Sequence, residues 1–382
     1  MRFILSGGGT AGHVYPALSV AERLSADGRD DVLFAGTPDG LEARLVPEAG
    51  VAFVGLPARG FDRSRPWTLI TSSLEIAIST VRAYGLLGRV RPDAVIGFGG
   101  YVSIPLGIAA RLRGVPLVLH EQNAVPGLAN RVLSRWAKAV ATTYASSQPL
   151  FRHPQRVTVT GNPVRPAVLG SDRESGRADL GLSDDRTALL IFGGSRGARH
   201  LNEAAQRVAP DVLAVPDVEV VHVAGRAEVE SVRAGIAGVD ADTARWHVYD
   251  YIDDMGSALA GADLVVARAG ATSIAEITAL GRPALLVPYP YATDDHQTKN
   301  ARAMVDAGAA VLVADAELDT SLFRDTLLAL LRDAPRRATM AAASKALGHP
   351  KAADDVAELV RRTARGSTRH GRSPEAPGPL EN

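Results

Sequence analysis

Short, nearly uninterrupted apolar runs alternate with longer helical patterns along the chain, and this alternation constrains the fold more than any other feature. Runs of this kind predict strands that are buried on both faces, as in parallel sheets covered by helices. The predicted strands are residues 3–6, 32–35, 94–98, 117–120, 157–160, 189–192, 218–223, 246–249, 264–267 and 284–287. We therefore expect an α/β fold built on parallel sheets.

The same sequence features occur in the same order in the two halves of the chain. An early strand in each half leads into a glycine-rich loop and a helix, at residues 7–12 and 193–197, and the first of these helices should begin near Tyr15. A later strand in each half leads into a helix that ends at a Gly-Xaa-Pro turn, at residues 114–116 and 281–283. Strand–loop–helix units repeated in the same order predict two similar, doubly wound domains.

The length of the chain supports this division, because 382 residues exceed the about 100–200 of an ordinary domain. Glycine and proline interrupt the pattern at residues 161–163, so we place the boundary there and expect domains at residues 1–163 and 164–350. Residues 366–382 are rich in Gly, Ser, Pro and Arg, a composition that predicts a disordered tail.

Composition excludes several classes of protein. The chain has no cysteine, which excludes disulfides, thiolate metal sites and a cysteine nucleophile. Met1 and Arg2 lead directly into an apolar strand, so we expect no signal peptide. No run approaches the about 20 apolar residues that a membrane-spanning helix needs.

The first glycine loop, residues 7–12, fits G-x-G-x-x-G after a strand, where glycine lets the backbone approach a ligand and the helix N-terminus attracts negative charge. A dehydrogenase is the obvious competitor, but the second strand ends Ala-Gly-Thr-Pro, with Asp39 only beyond the proline. His13 follows the loop at a helix N-terminus, which suits a neutral general base. A helix cap, or a bond to a backbone carbonyl, explains His13 equally well.

Two loops of the second half indicate a nucleotide site. Residues 193–197 offer backbone N–H groups, the Ser195 hydroxyl and a helix N-terminus to a pyrophosphate, although a plain tight turn has the same composition. In residues 268–276 a strand ends, Thr272 or Ser273 can cap a helix, and Glu276 can accept hydrogen bonds from both ribose hydroxyls. Helix charge preference alone also accounts for a glutamate there. Acidic pairs at Asp240/Asp242, Asp253/Asp254 and Asp294/Asp295 are expected to be solvated rather than metal ligands.

Residues 67–87 carry a helical stripe of apolar side chains at Ile70, Leu74, Ile78 and Val81. Basic residues surround it: Arg59, Arg63, Arg65, Arg82, Arg89 and Arg91. Residues 1–163 hold 17 Lys and Arg against 11 Asp and Glu, and the rest of the chain has the opposite excess of six. Such stripes usually belong to a core and such a bias can arise by chance. An exposed stripe with a cationic rim would instead suit an anionic membrane surface.

Eight motifs occur in a fixed order, at residues 7–17, 97–103, 120–123, 161–165, 193–195, 251–255, 268–276 and 295–301. Together they resemble the signatures of the MurG family within glycosyltransferase family 28, over roughly residues 1–360. Ala11 stands where the family often has Gly, which adds one methyl group beside the loop. Arg196 stands where Gln is common, which leaves phosphate contacts at that position open.

The resemblance implies the GT-B fold, with two doubly wound, Rossmann-like domains facing each other across a cleft. Residues 1–163 would bind the acceptor and the membrane, with a C-terminal helix at about 351–364 packing back on them, and residues 164–350 would bind the donor. The implied reaction is inverting transfer of N-acetylglucosamine from UDP-GlcNAc to the C4 hydroxyl of the MurNAc of undecaprenyl-pyrophosphoryl-MurNAc-pentapeptide (lipid I), giving lipid II for peptidoglycan.

The resemblance also assigns residues and partners. His13 would be the catalytic base. The implied donor-binding residues are Thr10, Ala11, Gly12, Asn123, Arg165, Ser195, Ile252, Ala271, Thr272, Ser273, Ile274, Ala275, Glu276 and Gln297, and those on the acceptor side are Gly99, Gly100 and Tyr101. No metal or other cofactor is expected. Implied partners are UDP-GlcNAc, lipid I, the anionic cytoplasmic face of the bacterial plasma membrane, where the protein would be peripheral, and other cell-wall synthesis proteins, but no nucleic acid.

Three other functions share parts of this pattern. A UDP-GlcNAc 2-epimerase has the same donor and two-domain layout but needs no acceptor. An NAD-binding Rossmann protein would share the glycine loop. Another GT-B enzyme that glycosylates a small molecule would share the chemistry.

Overall fold

The computed structural model describes residues 1–58, 68–194 and 198–368 of the chain. Two compact units are present, one formed by residues 1–163 together with those from Lys351 onward, the other by Val164–Pro350. Several residues of the sequence analysis lie outside the described ranges: Arg59, Arg63, Arg65, Trp67, Ser195, Arg196 and the tail beyond Thr368.

The first unit is built on parallel strands. They are β1 (Arg2–Ser6), β2 (Asp31–Gly36), β3 (Ala52–Gly55), β4 (Ala94–Gly97), β5 (Leu117–Glu121), β6 (Ala139–Thr142) and β7 (Val157–Val159). In the described residues these seven form one sheet in the order β3-β2-β1-β4-β5-β6-β7. Phe3 pairs with Val32 on one side and with Ala94 on the other, so β1 lies inside the sheet, between β2 and β4.

Helices connect these strands and cover the sheet. They are α1 (Ala11–Ser25), α2 (Leu41–Glu48), α3 (Thr68–Val90), α4 (Ser103–Arg113) and α5 (Leu128–Leu133). Two 3-10 helices follow at Ala145–Leu150 and Pro154–Arg156. Alternate residues of β1 face opposite sides, so Phe3 and Leu5 pack with α1, whereas Ile4 belongs to the core that α3 and α4 cover.

The second unit repeats this design. Its strands are β8 (Thr187–Phe192), β9 (Val218–Val223), β10 (Trp246–Tyr249), β11 (Leu264–Ala267), β12 (Ala284–Leu286) and β13 (Ala310–Leu312). Within the part of the chain that the structure describes, they form a six-stranded parallel sheet in the order β10-β9-β8-β11-β12-β13. Leu189 and Ile191 of β8 enter one core, and Leu190 and Phe192 enter the other.

The helices of the second unit lie on both faces of its sheet. They are α6 (Pro166–Leu169), α7 (Arg173–Leu180), α8 (Arg199–Leu213), α9 (Val229–Ala237), α10 (Met255–Gly261), α11 (Ala271–Ala279), α12 (His296–Asp306), α13 (Ser321–Arg332) and α14 (Ala334–Leu347). Short 3-10 helices lie at Thr243–Arg245, Thr293–Asp295 and Asp315–Glu317.

The last helix, α15 (Ala352–Thr368), packs on the first unit, where Val356 and Val360 join the core of Phe3 and Leu5. Arg361 donates a 2.8 Å hydrogen bond to Asp30, which ties this helix to the start of β2. The helix continues through residues 366–368, which the composition had assigned to a disordered tail.

The expected α/β class with two doubly wound, Rossmann-like units is confirmed. The strands expected at 218–223, 246–249 and 264–267 have those bounds, and the others shift by one or two residues. Three strands of the described residues were missed, β3, β6 and β13, each of them a run of only three or four residues.

The start expected for α1, near Tyr15, was wrong, because the helix begins at Ala11. Thr10 has extended backbone angles, and its carbonyl oxygen accepts hydrogen bonds from the N–H groups of His13 and Val14. The loop residues Gly12 and His13 therefore belong to the first helical turn.

Candidate active site

Two glycine loops meet at the carboxyl edge of the first sheet, between β1 and β4, where the strand order reverses. Ligands of open parallel sheets bind at such a reversal. Gly9, Gly99 and Gly100 have left-handed φ values of 80°, 97° and 79°. A Cβ atom on Gly100 would lie 2.6 Å from the Gly8 carbonyl oxygen, so the two loops pack backbone against backbone.

His13 lies between these loops. Its Nδ1 is 2.9 Å from the Gly8 carbonyl oxygen and 3.2 Å from Thr10 Oγ1. A carbonyl only accepts, so Nδ1 carries a proton, and in the neutral ring Nε2 is then the nitrogen with the lone pair. The ring lies against Gly99, where an added Cβ atom would be 3.1 Å from Nε2. The sequence left the bond to a backbone carbonyl and the role of a base as alternatives. The structure shows the bond, and this geometry is compatible with the role of a base.

The remaining predicted residues of this edge surround His13. Thr10 is exposed, Ala11 and Gly12 form the half-buried start of α1, and Tyr101 is half-buried after Gly100. Ser103, which the sequence did not single out, donates hydrogen bonds to the carbonyl oxygens of Ser6 (3.1 Å) and Gly99 (2.7 Å). That buried hydroxyl joins the ends of β1 and β4.

Asn123 lies beyond the carboxyl end of β5 and is held by Glu121. The Glu121 carboxylate accepts hydrogen bonds from the Asn123 backbone N–H (3.0 Å), the Gly127 N–H (3.0 Å) and the Asn130 side chain (2.8 Å). The neighbouring His120 is fully buried, which lowers its pKa to about 4, and its Nε2–H donates to the Gly161 carbonyl oxygen. The sequence analysis predicted Asn123 as a site residue, but it did not predict that the buried Glu121 carboxylate holds its loop.

In the second unit, Arg165 and Glu276 form the central pair. Arg165 Nη2 lies 3.1 Å from Glu276 Oε1. The pairing follows from packing, because Val164 and Val168 at the start of α6 contact Ala275 and Ala279 of α11. Burial raises the pKa of Glu276, and the Arg165 guanidinium partly offsets this shift.

Helix α11 begins at Ala271, and Gly270 occupies its N-cap position with extended backbone angles. The expectation that Thr272 or Ser273 caps this helix was therefore wrong, since both residues lie inside the first turn. Among the described residues, no side chain caps the first amides of α11, and the buried Thr272 Oγ1 has no hydrogen-bond partner. The first turn, with Ala271, Ile274 and Ala275 packed beneath it, presents N–H groups suited to an anionic ligand.

Arg268 fixes the strand ends of this edge from below. Its buried guanidinium donates to the carbonyl oxygens of Val287 (3.3 Å) and Pro288 (3.2 Å) and pairs with Asp315 at 2.5 Å. Asp315 also bonds His200 of α8 at 2.8 Å, which raises the pKa of His200. Arg268 thus links the ends of β11 and β12 to the helix after the second glycine loop. The sequence analysis recognised the motif that contains Arg268, but it did not predict that Arg268 links these strand ends.

The other predicted donor residues lie on neighbouring loops of the second unit. Gln297, in the first turn of α12, accepts a 2.9 Å hydrogen bond from the Tyr289 N–H, which turns its oxygen toward the loop. Asn300 of the same helix donates to the Ala269 carbonyl oxygen at 3.3 Å. Ile252 is half-buried after β10 and packs on the core beneath α11. Ser195 lies outside the described residues.

Within the described ranges, no cluster of three or more His, Asp or Glu side chains has the geometry of a metal site. Asp254 caps α10 by accepting a 3.1 Å hydrogen bond from the Ser257 N–H. The acidic pair Asp294/Asp295 lies in an exposed turn with left-handed φ values of 53° and 51°.

Comparison with known proteins identifies the family. The model described as the glycosyltransferase family 28 N-terminal domain matches residues 3–142, and the corresponding C-terminal domain model matches residues 188–356. A relative from Desulforudis audaxviator, named UDP-N-acetylglucosamine--N-acetylmuramyl-(pentapeptide) pyrophosphoryl-undecaprenol N-acetylglucosamine transferase, is 42% identical over 97% of this chain and 100% of its own length. The chain belongs to the MurG family of glycosyltransferase family 28.

Two further relatives support this membership in sequence and in structure. A Nitratidesulfovibrio vulgaris (strain Hildenborough) protein of the same name is 44% identical over 95% of this family 28 chain and 99% of its own. The crystal structure of Acinetobacter baumannii MurG matches with a TM-score of 0.76 and 32% identity, over 94% of this chain and 99% of the other. The fold is therefore GT-B, and the protein is a UDP-GlcNAc-dependent glycosyltransferase.

Proposed function

We propose that this enzyme transfers N-acetylglucosamine from UDP-GlcNAc to the C4 hydroxyl of the MurNAc of undecaprenyl-pyrophosphoryl-MurNAc-pentapeptide. The observation that carries the proposal is the identity of 42% over 97% of the chain with a transferase so named. The two sheet edges support it, because one bears a histidine with a free ring nitrogen and the other a carboxylate–guanidinium pair beside an open helix N-terminus.

The second unit is the donor side of this proposal. Glu276 accepts hydrogen bonds from the ribose hydroxyls, and the backbone near Ile252 meets the uracil. Arg165 and the first turns of α8 and α11 offset the charge that develops on the departing diphosphate. In this proposal these groups stabilise the negative charge of the leaving diphosphate, and no metal ion is needed. Gln297 completes this unit's contacts to the sugar and its phosphates.

The first unit supplies the base. In the reaction step, the C4 oxygen of the acceptor forms a bond to the anomeric carbon while the bond from that carbon to the UDP oxygen breaks. The hydroxyl proton moves to Nε2 of His13, and UDP leaves with the bonding electron pair. Attack from the face opposite UDP inverts the configuration at the anomeric carbon. Gly99, against which the His13 ring lies, forms the acceptor side of this edge together with Gly100 and Tyr101, which follow it in the chain.

The same unit also provides a surface for the membrane that carries the acceptor. Leu74, Ile78 and Val81 of α3 are exposed by 63%, 47% and 73% of their surface, so this part of the stripe is not core. Arg82 and Arg89 of the same helix supply positive charge. A surface of this composition suits the headgroup region of an anionic bilayer, and we place the enzyme as a peripheral protein on the cytoplasmic face of the plasma membrane. No described helix is long and apolar enough to span a bilayer.

The test is transfer of radiolabelled N-acetylglucosamine from UDP-GlcNAc to lipid I in detergent micelles. We expect label in the lipid fraction, with β configuration at the new bond, because the donor is α-linked. A reaction without lipid I is the control. Conversion of UDP-GlcNAc to its C2 epimer in that control would identify an epimerase, and label that enters only small soluble acceptors would overturn the lipid-linked acceptor. Product of α configuration would contradict the single displacement.

A further inference from the structure

Glu42 is a fully buried acidic residue that the proposed reaction does not use. It lies in the first turn of α2, after the loop that follows β2, and therefore one strand away from the glycine loop after β1. Burial of a carboxylate is costly unless hydrogen-bond donors surround it. Its surroundings should therefore show what it does.

Backbone and hydroxyl donors from two loops converge on this carboxylate. Oε1 accepts hydrogen bonds from the Thr37 backbone N–H at 2.9 Å and the Thr37 hydroxyl at 2.5 Å. Oε2 accepts from the Gly9 N–H at 3.4 Å. The N-terminal position in α2 adds a favourable dipole. Glu42 thus joins its own loop to the glycine loop of β1, 33 residues away in the sequence.

Glycines make room for this side chain. A Cβ atom on Gly8, Gly36 or Gly40 would clash with atoms of Glu42. The carboxylate therefore lies in direct contact with the Gly8–Gly9 backbone, where a larger residue in the loop would displace it. This contact explains why the chain needs glycine at Gly8, a position whose φ is not left-handed.

The Gly8–Gly9 segment is also the support of His13. Both contacts are made by the single peptide group that joins Gly8 to Gly9. Its carbonyl oxygen accepts the Nδ1–H of His13 at 2.9 Å, and its N–H donates to Glu42 at 3.4 Å. We propose that Glu42 is a positioning residue that holds the Gly8–Gly9 backbone and thereby fixes the orientation and tautomer of the His13 ring. The inference rests on the proposed role of His13 as the base.

Glu42→Gln tests this inference. The side-chain amide oxygen of the new glutamine can still accept hydrogen bonds from Thr37. Its NH₂ group then faces the Gly9 N–H, and because both groups are donors they repel each other and the glycine loop moves. We expect kcat to fall about 10- to 100-fold, since small misplacement of a catalytic group has effects of this size. Affinity for UDP should stay within about two-fold, because the residues assigned to its uracil, ribose and diphosphate lie in the second unit and are unchanged. Glu48→Gln, on the exposed face of the same helix, is the matched control and should retain wild-type kcat.

A double variant separates positioning from a general effect on the fold. In a His13→Ala background, Glu42→Gln should change kcat by less than about two-fold, because residues that act through one another are not additive. An equal loss in both backgrounds, or wild-type kcat in Glu42→Gln, would overturn the inference. If Glu42→Gln does not fold, Glu42→Asp replaces it, because the shorter carboxylate can keep Thr37 but not Gly9 and should show the same non-additive loss.

The proposed function fails separately. If His13→Ala retains near-wild-type turnover, the base assignment is wrong whatever Glu42 does. If His13→Ala is inactive and Glu42→Gln is normal, only the positioning role of Glu42 is wrong.

Discussion

Arg165 Nη2 lies 3.1 Å from Glu276 Oε1, and both residues belong to the second unit. We assign one to the phosphates and the other to the ribose of UDP, yet here they bind each other. A carboxylate accepts several hydrogen bonds, so Glu276 can keep its guanidinium partner and still accept from a ribose hydroxyl. The pair therefore holds Glu276 ready for the nucleotide and lowers the cost of burying its charge.

Glu276→Gln should weaken UDP binding about 10- to 100-fold, because hydrogen bonds to a charged acceptor contribute about 1.5–3 kcal/mol. Burial raises the pKa of Glu276. As the pH falls, Glu276 should therefore be protonated, and UDP affinity lost, at a higher pH than for an ordinary carboxyl group. Titration calorimetry between pH 5 and 8 measures both effects, and the acidic step should be absent in the variant.

Arg165→Met is the control for this step. The guanidinium partly offsets the rise in the pKa of Glu276 that burial causes. Without it the pKa should rise further, so the loss of UDP affinity on acidification should move to higher pH in Arg165→Met. An acidic step of unchanged midpoint in both variants would show that another group controls it.

His13→Ala should lower kcat by about 10²- to 10⁴-fold, the usual contribution of a general base. UDP affinity should stay within about two-fold, because the Arg165–Glu276 pair lies in the other unit. Steady-state transfer assays and UDP calorimetry on one preparation test both statements. Near-normal turnover with intact binding of both substrates would exclude His13 as the base.

The parts of the site that could be predicted are those that depend on local sequence patterns. The alternation of strands and helices predicts where β1, β4, β8 and β11 end, and parallel pairing then brings their loops together. His13 follows a glycine loop, and Glu276 lies in the helix after a strand end. Motif order, rather than periodicity, supplied the reaction and the substrates.

The parts that could not be predicted depend on hydrogen-bond partners that local sequence patterns do not specify. Glu42 accepts from Gly9, and Glu121 from Gly127 and Asn130, so their roles exist only after the chain has folded. The N-cap of α11 was also predicted wrongly, although it depends on neighbouring residues. Thr272 and Ser273 are better capping residues than Gly270, but both lie inside the helix, and Gly270 has the extended backbone angles of the N-cap.

The exposed stripe of α3 should bind anionic vesicles. Leu74→Ser, Ile78→Ser and Val81→Ser together remove three exposed apolar side chains, each of which contributes about 1.5–3 kcal/mol when buried. We expect binding to phosphatidylglycerol vesicles to fall at least about 10-fold in sedimentation assays, with UDP affinity unchanged. Leu322→Ser, which removes an exposed leucine from the second unit, is the matched control. Equal vesicle binding by the triple variant and wild type would place the membrane surface elsewhere.

Acid should destabilise the protein through two buried histidines. Burial lowers the pKa of His120 and of His222 to about 4, against an ordinary value of 6.5. Below pH 6.5 the unfolded chain binds protons that the folded chain does not, so stability falls as pH drops from about 6.5 to about 4. Each histidine contributes up to about 1.4 kcal/mol per pH unit in this window.

Urea denaturation at intervals from pH 4 to 8 measures this dependence, and His222→Gln should reduce its slope by about half, because one of the two groups is removed. Glutamine keeps a donor for Asn202, the partner of His222 at 3.0 Å, so the variant should fold. His200 does not interfere: its pKa is raised, so it is protonated in both states throughout the acidic window, and its contribution is lost only as pH rises above 6.5. An unchanged slope in His222→Gln would show that carboxylates, rather than these imidazoles, control the acid limit.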